Sequence, residues 1–285
     1  MKPAAFRYHA PKTIDEAVAL LAEVAGEDGR VLAGGQSLVP TMAFRLAKPS
    51  HLVDINGVAA LNRLAVADGK LVIGACVRHA AFHQPVCDGP LGTLLADVVR
   101  HIAHYPIRNR GTFCGSLAHA DPASEWCLVL MALDGEVLAK SARGERVIAA
   151  RDFFQGIMST ALRDDELLVE ARLPILAAGT CCGFYEFNRR AGDFAMAAAL
   201  GTYRVEGGKI VEPRVAVGGA EVNPRRISEA ERALAGAAPG DKAFRAAAEA
   251  ATAAIDPMED ITTSAEFRRD LVLAVTRRAL ERAAA

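Results

Sequence analysis

The stretch Arg30-Val31-Leu32-Ala33-Gly34-Gly35-Gln36-Ser37 sets the tightest limit on how this chain folds. Its first four residues read as a short strand, which runs without a spacer into two glycines. Glycine reaches positive φ at no steric cost, so backbone leaving the strand can turn sharply and gather successive amides into one concavity. Such a nest holds an anionic oxygen without any lysine, and Ser37 adds a hydroxyl donor. The pattern is not the Gly-x-Gly-x-x-Gly dinucleotide fingerprint. Taken alone, these residues read first as a tight strand-to-helix turn and second as a phosphate nest.

Around that turn the pattern is β-α-β. Phe6-Arg7-Tyr8 is strand-like, and Thr13 with Glu16 has capping-box spacing. Ile14, Ala17, Val18, Leu21 and Ala25 then share one helical face, and residues 51–55 form the next strand, closing a unit over 1–56. From 57 to 175 the spacing predicts a strand over 70–73, a helix over 93–102 and an irregular Gly/Pro/Asn/His-rich segment over 105–122. A helix then starts at Pro122 with Asp121 as its cap, followed by a hairpin over 137–149 and a strand over 167–174. Pro174 opens a linker reaching Gly179. Over 180–285, strands at 183–189, 200–205 and 214–217 come first, and helices at 228–235, 242–254 and 265–284 follow. That order indicates an α+β layer domain.

The balance of 33 basic against 34 acidic residues, net −1, supplies no field for nucleic acid or an anionic membrane. The N-terminus lacks the apolar core of an export signal, and no run suggests a membrane span. The six cysteines (Cys76, Cys87, Cys114, Cys127, Cys181, Cys182) contain no Cys-x-x-Cys pair, so any iron–sulfur centre belongs on another chain. Scattered thiols of this kind are expected to be reduced and cytoplasmic.

A second chemical segment, Arg110-Gly111-Thr112-Phe113-Cys114-Gly115-Ser116, precedes His119-Ala120-Asp121-Pro122 and Glu125. Gly111 and Gly115 permit close approach to a flat ligand, Thr112 and Ser116 offer hydroxyls, and an acid nearby can accept from ribose. Two Gly/Ser/Thr loops about 75 residues apart point to a ligand more strongly than either does alone. The spacing of these loops, with Phe6-x-Tyr8, Leu52-Val53-Asp54-Ile55, Glu166-Leu167-Leu168 and Gly192-Asp193-Phe194-Ala195, resembles the flavin-binding subunits of molybdenum hydroxylases, of the carbon monoxide dehydrogenase medium-subunit and xanthine dehydrogenase type. The resemblance covers nearly the whole chain.

It implies an α+β fold with a two-subdomain FAD-binding domain of the PCMH/VAO type (1–56 and 57–175) and a C-terminal α+β domain (180–285) with a small antiparallel sheet and helices. It implies a pyrophosphate loop at Ala33, Gly34, Gly35, Gln36, Ser37 and Leu38, and a second flavin loop at Thr112, Phe113, Cys114, Gly115 and Ser116. Glu125 stands where relatives often have an aspartate partner for the ribose, Leu168 would lie against adenine, and Asn188 replaces a frequent lysine. Phe194 stands where a tyrosine approaches the isoalloxazine, keeping an aromatic face without its hydroxyl. Cys114 replaces a common glycine and is read as packing rather than as a reactive thiol.

The implied activity is electron transfer. Substrate is hydroxylated at a molybdenum cofactor on a large subunit, and electrons pass through [2Fe-2S] clusters on a small subunit to this FAD. The assembly is expected to be a dimer of heterotrimers, and no residue of this chain need act as acid or base. A self-sufficient flavin oxidoreductase and a non-redox module that has lost the cofactor remain alternatives. Other candidates are weaker. His79 and His83 have helical i, i+4 spacing but no evident third metal ligand, and read as a solvated helix face. His101, His104 and His119 read as hydrogen-bonded loop histidines. Ser37, Ser116 and Ser124 lack the Gly-x-Ser-x-Gly context of a hydrolase nucleophile, and Arg189-Arg190 reads as a surface pair.

Overall fold

The computed structural model describes residues 2–261 and 263–284; Met1, Thr262 and Ala285 lie outside it. The chain opens with β1 (Arg7–His9) and α1 (Ile14–Val24). The capping box forms as its spacing predicts. The Glu16 amide donates to Thr13 Oγ1 at 3.1 Å, and Glu16 Oε2 accepts from the Thr13 and Lys12 amides at 3.3 and 2.7 Å. The helix buries Ala17, Val18, Leu21 and Val24. β2 (Gly29–Leu32), α2 (Leu38–Ala43) and β3 (His51–Asp54) follow. The three strands form a parallel sheet in the order β1-β3-β2. Leu32 lies beside Asp54, so β2 and β3 run out at one edge.

The middle of the chain contains β4 (Leu64–Ala67), β5 (Lys70–Gly74), α3 (Pro90–Val98), α4 (Tyr105–Arg108), α5 (Phe113–His119), α6 (Glu125–Ala132), β6 (Glu136–Ser141) and β7 (Gly144–Ala149). It closes with α7 (Ala150–Phe153), a small hairpin of β8 (Phe154–Gly156) and β9 (Ser159–Thr160), and β10 (Leu167–Pro174). An antiparallel sheet runs β4-β5-β10-β6-β7. In β6, buried and part-buried residues alternate, as a strand with one core face requires. α1 packs between this sheet and the parallel one, touching β2, β3, β6 and β10. α6 is buried at every residue from Trp126 to Ala132, matching its unbroken apolar sequence.

Two expectations fail in this region. The segment over 105–122 is not irregular, because α4 and α5 occupy much of it. Thr112 Oγ1 accepts from the Gly115 amide at 2.9 Å and caps α5, whose Phe113, Cys114 and Leu117 are buried. Tertiary burial here overrides a composition that reads as loop. Nor does a helix start at Pro122. Asp121 Oδ1 accepts from the Ala123 amide at 2.9 Å, closing a side-chain turn, and α6 begins only after Ser124.

The C-terminal part is β11 (Cys181–Phe187), β12 (Ala197–Glu206), β13 (Lys209–Gly218), β14 (Arg225–Arg226), then α8 (Ser228–Leu234), α9 (Asp241–Ala254) and α10 (Ala265–Ala283). Its four strands form an antiparallel sheet in chain order. α10 lies on β11 and β12, while α6 meets β12 and β13. β12 is therefore buried continuously from Ala197 to Tyr203 rather than alternating. Phe184, Leu200 and Ala216 join the core of the first two sheets, whereas Tyr203, Val215 and Val217 pack with the three helices. The fold class is α+β, as expected.

Candidate anion-binding cleft

The two glycine-bearing segments touch through their backbones. A Cβ on Gly34 would fall 2.4 Å from Arg110 O and 2.7 Å from Gly111 Cα, so only glycine permits this approach. Of the pair, Gly35 alone has positive φ, +71°. The two glycines thus serve different ends: Gly34 admits the second segment, and Gly35 makes the turn. Around them lies a cleft of about 400 Å³ lined by residues 32–36, Val39, Asp54, Asn56, Arg78 and Arg110.

Within the described residues, the backbone amides of Gly34, Gly35, Gln36, Ser37 and Leu38 have no hydrogen-bond partner. Ser37 precedes α2 without capping it through its side chain, and Gln36 folds back, donating from Nε2 to Gly34 O at 3.0 Å. A run of uncommitted donors beside a cleft is what an anion requires. The second segment differs. Its Phe113 amide donates to Val77 O at 3.1 Å, its Gly115 amide to Thr112 Oγ1, and its Ser116 amide to Thr112 O at 3.1 Å. The Thr112 and Cys114 amides and the Ser116 hydroxyl are left uncommitted among the described residues.

The side chains behind this segment are structural. Phe113 is fully buried, with its ring 4.8 Å from Trp126 and 5.7 Å from Phe82. Cys114 Sγ donates to Ile73 O at 3.4 Å, and burial drives its thiol pKa far above the ordinary range. His79 and His83 do not form a solvated helical face. They bound a 3₁₀ turn in which His79 is buried and Nδ1 accepts from Trp126 Nε1 at 2.9 Å. Burial, then the Arg108 and Arg78 cations, lower the His79 pKa to about 3, so the ring is neutral. Among the described residues no group of His, Cys, Asp and Glu could hold a metal ion.

The remaining candidates lie toward the C-terminal sheet. Glu125 begins α6, and burial raises its carboxyl to about 8, helped by the Glu186 and Asp121 carboxylates. Glu186 is buried; its Oε1 accepts from Asn188 Nδ2 at 2.9 Å and lies 3.4 Å from His101 Nδ1. Asn188 also donates to Asp193 O at 3.3 Å, and the Gly192 backbone closes on the His104 ring. That turn carries Phe194, which is 73% exposed and free to cover a ligand. Leu168 is buried in the main core, paired with Ala139 beside a β-bulge.

Sequence reasoning missed Asp54, Asn56 and Arg78. The first two had a usable signal, since ligands gather where parallel strands end and Asp54-Ile55-Asn56 ends β3 beside Ala33. Arg78 had none.

Comparison with known proteins gives a consistent picture. The profile of the FAD binding domain in molybdopterin dehydrogenase matches residues 4–176, and that of the CO dehydrogenase flavoprotein C-terminal domain matches 183–283. The nicotine 6-hydroxylase medium subunit of Paenarthrobacter nicotinovorans is 40% identical, covering 100% of this chain and 99% of its own. The carbon monoxide dehydrogenase medium chain of Hydrogenophaga pseudoflava is 35% identical, covering 99% and 98%. Among solved structures, quinoline 2-oxidoreductase from Pseudomonas putida 86 superposes with a TM-score of 0.93 at 36% identity, covering 100% of this chain and 98% of that one. Carbon monoxide dehydrogenase from H. pseudoflava gives 0.94 at 37%, covering 99% and 98%.

Proposed function

This chain belongs to the family of FAD-binding medium subunits of molybdenum hydroxylases, and we propose that it is the electron-transfer subunit of a heterotrimeric enzyme of that kind. The observation that carries the reading is the row of uncommitted amides from Gly34 to Leu38, set against a second glycine segment by backbone contact. A flavin dinucleotide fits these donors, because its diphosphate accepts from backbone amides without needing a lysine.

The residue roles follow from what each group offers. The amides of Gly34 to Leu38 and the Ser37 hydroxyl hold the diphosphate, with Ala33 leading the backbone into that turn, and the Cys114 amide and Ser116 hydroxyl bind from the opposite segment. Glu125, protonated at neutral pH, can donate to and accept from ribose hydroxyls. Phe194 covers the ring system, Asn188 steadies the turn that carries it, and Leu168 backs the adenine side. Thr112, Phe113 and Gly115 act through the fold, by shaping and capping α5. Bound FAD supplies a carrier that takes electrons singly and releases them singly or in pairs. The chain's own residues bind and orient it and move no proton of the substrate. The units 1–56 and 57–175 together form the cofactor domain, and 180–285 closes its far side.

In this reading, a small subunit with [2Fe-2S] clusters delivers electrons from a large molybdenum-cofactor subunit, within a dimer of heterotrimers in the cytoplasm. No helix among the described residues is long and apolar enough to cross a membrane. The purified chain is expected to bind one FAD and to leave it oxidised when given carbon monoxide, a purine, another N-heteroaromatic or an aldehyde. Flavin reduction by such a substrate without partner chains, or failure to bind FAD at all, refutes the proposal.

A further inference from the structure

We infer that Arg78 and Arg110 form a cationic wall for the diphosphate, and that Arg78 also sets the spacing between the two glycine segments. The inference rests on the FAD reading above and adds to it two side chains that neither loop motif uses as ligands.

A single chain of hydrogen bonds crosses the cleft. Asn56 Nδ2 donates to Ala33 O at 2.7 Å, Arg78 Nη2 donates to Asn56 Oδ1 at 2.6 Å, and Arg78 Nη1 donates to Arg110 O. Ala33 belongs to the first segment and Arg110 to the second, so the planar Arg78 fork ties one to the other. Lysine offers a point charge and no such fork. The bond to Arg110 O also draws that carbonyl toward Arg78, leaving the amide run on the facing loop to the ligand.

The charge in the cleft is unbalanced. Arg78 and Arg110 both line it, Arg110 through a carbonyl held by Arg78 and with an exposed side chain, and neither has an ion-pair partner among the described residues. Asp54 is the lining carboxylate, and it is already engaged: it accepts from Tyr8 Oη at 2.5 Å and from Asn56 N and Nδ2 at 2.9 and 2.5 Å. One cation fixed by hydrogen bonds, a second on an exposed side chain that can reach a ligand, and a row of uncommitted amides, with the nearby carboxylate committed elsewhere, suit an anion carrying more than one charge. Guanidinium groups bind phosphate oxygens through paired donors. The diphosphate matches that demand, whereas the uncharged ring systems of the ligand do not.

The test uses the full chain freed of flavin, titrated with ADP, adenosine and FAD by calorimetry at low and high salt. Wild type is expected to prefer ADP to adenosine, with salt weakening ADP alone. Arg110→Gln changes an exposed side chain; it should weaken ADP and FAD by about 10- to 100-fold and leave adenosine unchanged, a pattern that a purely structural role does not produce. Arg110→Lys should recover part of the loss. Arg78→Lys keeps the charge but not the fork, so the preference for ADP should survive while FAD weakens by about tenfold. If wild type binds FAD and a variant's affinities stay within about twofold, the role given to that residue is overturned. A wild type that binds neither FAD nor ADP overturns the cofactor assignment itself, and this inference with it.

Discussion

Replacing Gly34 with alanine tests whether the two segments must meet backbone to backbone. The added Cβ would fall 2.4 Å from Arg110 O, whereas ordinary contact begins at 3.4 Å, so the segments must part by about 1 Å (3.4 − 2.4). Neither side yields easily. Arg78 holds Arg110 O, and the His79 amide donates to Gly111 O at 3.0 Å. Overpacking of this kind costs about 1–3 kcal/mol of stability. Displacing the donors by that distance is expected to weaken FAD by about 100-fold. Gly35→Ala is the control. Its φ of +71° brings a left-handed penalty, but the nearest atoms to the new Cβ are the side-chain ends Leu32 Cδ1 and Val39 Cγ2, both at 3.1 Å and able to swing away. It should cost a similar 1–2 kcal/mol or so, about one residue's left-handed strain, yet weaken FAD by no more than about tenfold. Thermal melts of the flavin-free chain and quenching of flavin fluorescence on titration give the two quantities separately. The reasoning fails if Gly34→Ala keeps FAD affinity within about threefold of wild type, or if Gly35→Ala proves the weaker binder.

Three further outcomes are expected. Because burial, with Glu186 and Asp121 adding, lifts Glu125 from 4.5 to about 8, the folded chain keeps that proton where the unfolded chain has lost it. Stability is therefore complete below the lower value and falls as pH rises toward the upper one, by on the order of 2 kcal/mol after allowing for partial exposure. Glu125→Gln should flatten this slope in melts of the flavin-free chain, and an unchanged slope refutes the assignment. His79 should show no protonation by NMR between about pH 5 and 8, and His79→Leu should cost about 1–3 kcal/mol by stranding the Trp126 indole N–H. Cys114 should resist alkylation in the folded chain, and Cys114→Ala should leave FAD affinity within about twofold; a larger change means that the thiol faces the cofactor.

Legibility in the sequence followed the range of the interactions. The capping box of α1 and the three C-terminal helices depend on neighbours a few residues away, and each forms close to where its pattern predicts. α5 was hidden because glycine, histidine and polar residues around it read as loop, while burial of Phe113 and Leu117 stabilises it from a distance. The same holds for His79: its spacing suggested water on one side, but Trp126, 47 residues later, brings a donor to it. In the cleft, the glycines announced themselves and Arg78 did not, since its partners are a carbonyl 32 residues ahead and an amide oxygen 22 residues behind. Asn56 was recoverable in principle, from the shared edge at which β2 and β3 end.

Because the walls of the cleft come from the ends of the parallel sheet on one side and from Arg78 and Arg110, beyond the strands of the antiparallel sheet, on the other, neither half can complete it alone. Tight association with a flavin dinucleotide therefore has to wait until both halves have docked, and afterwards it opposes their separation. A ligand at about 100 times its dissociation constant adds about 2.7 kcal/mol to such a joint. During biogenesis the cofactor would act as a rivet, driven only when the plates are already aligned.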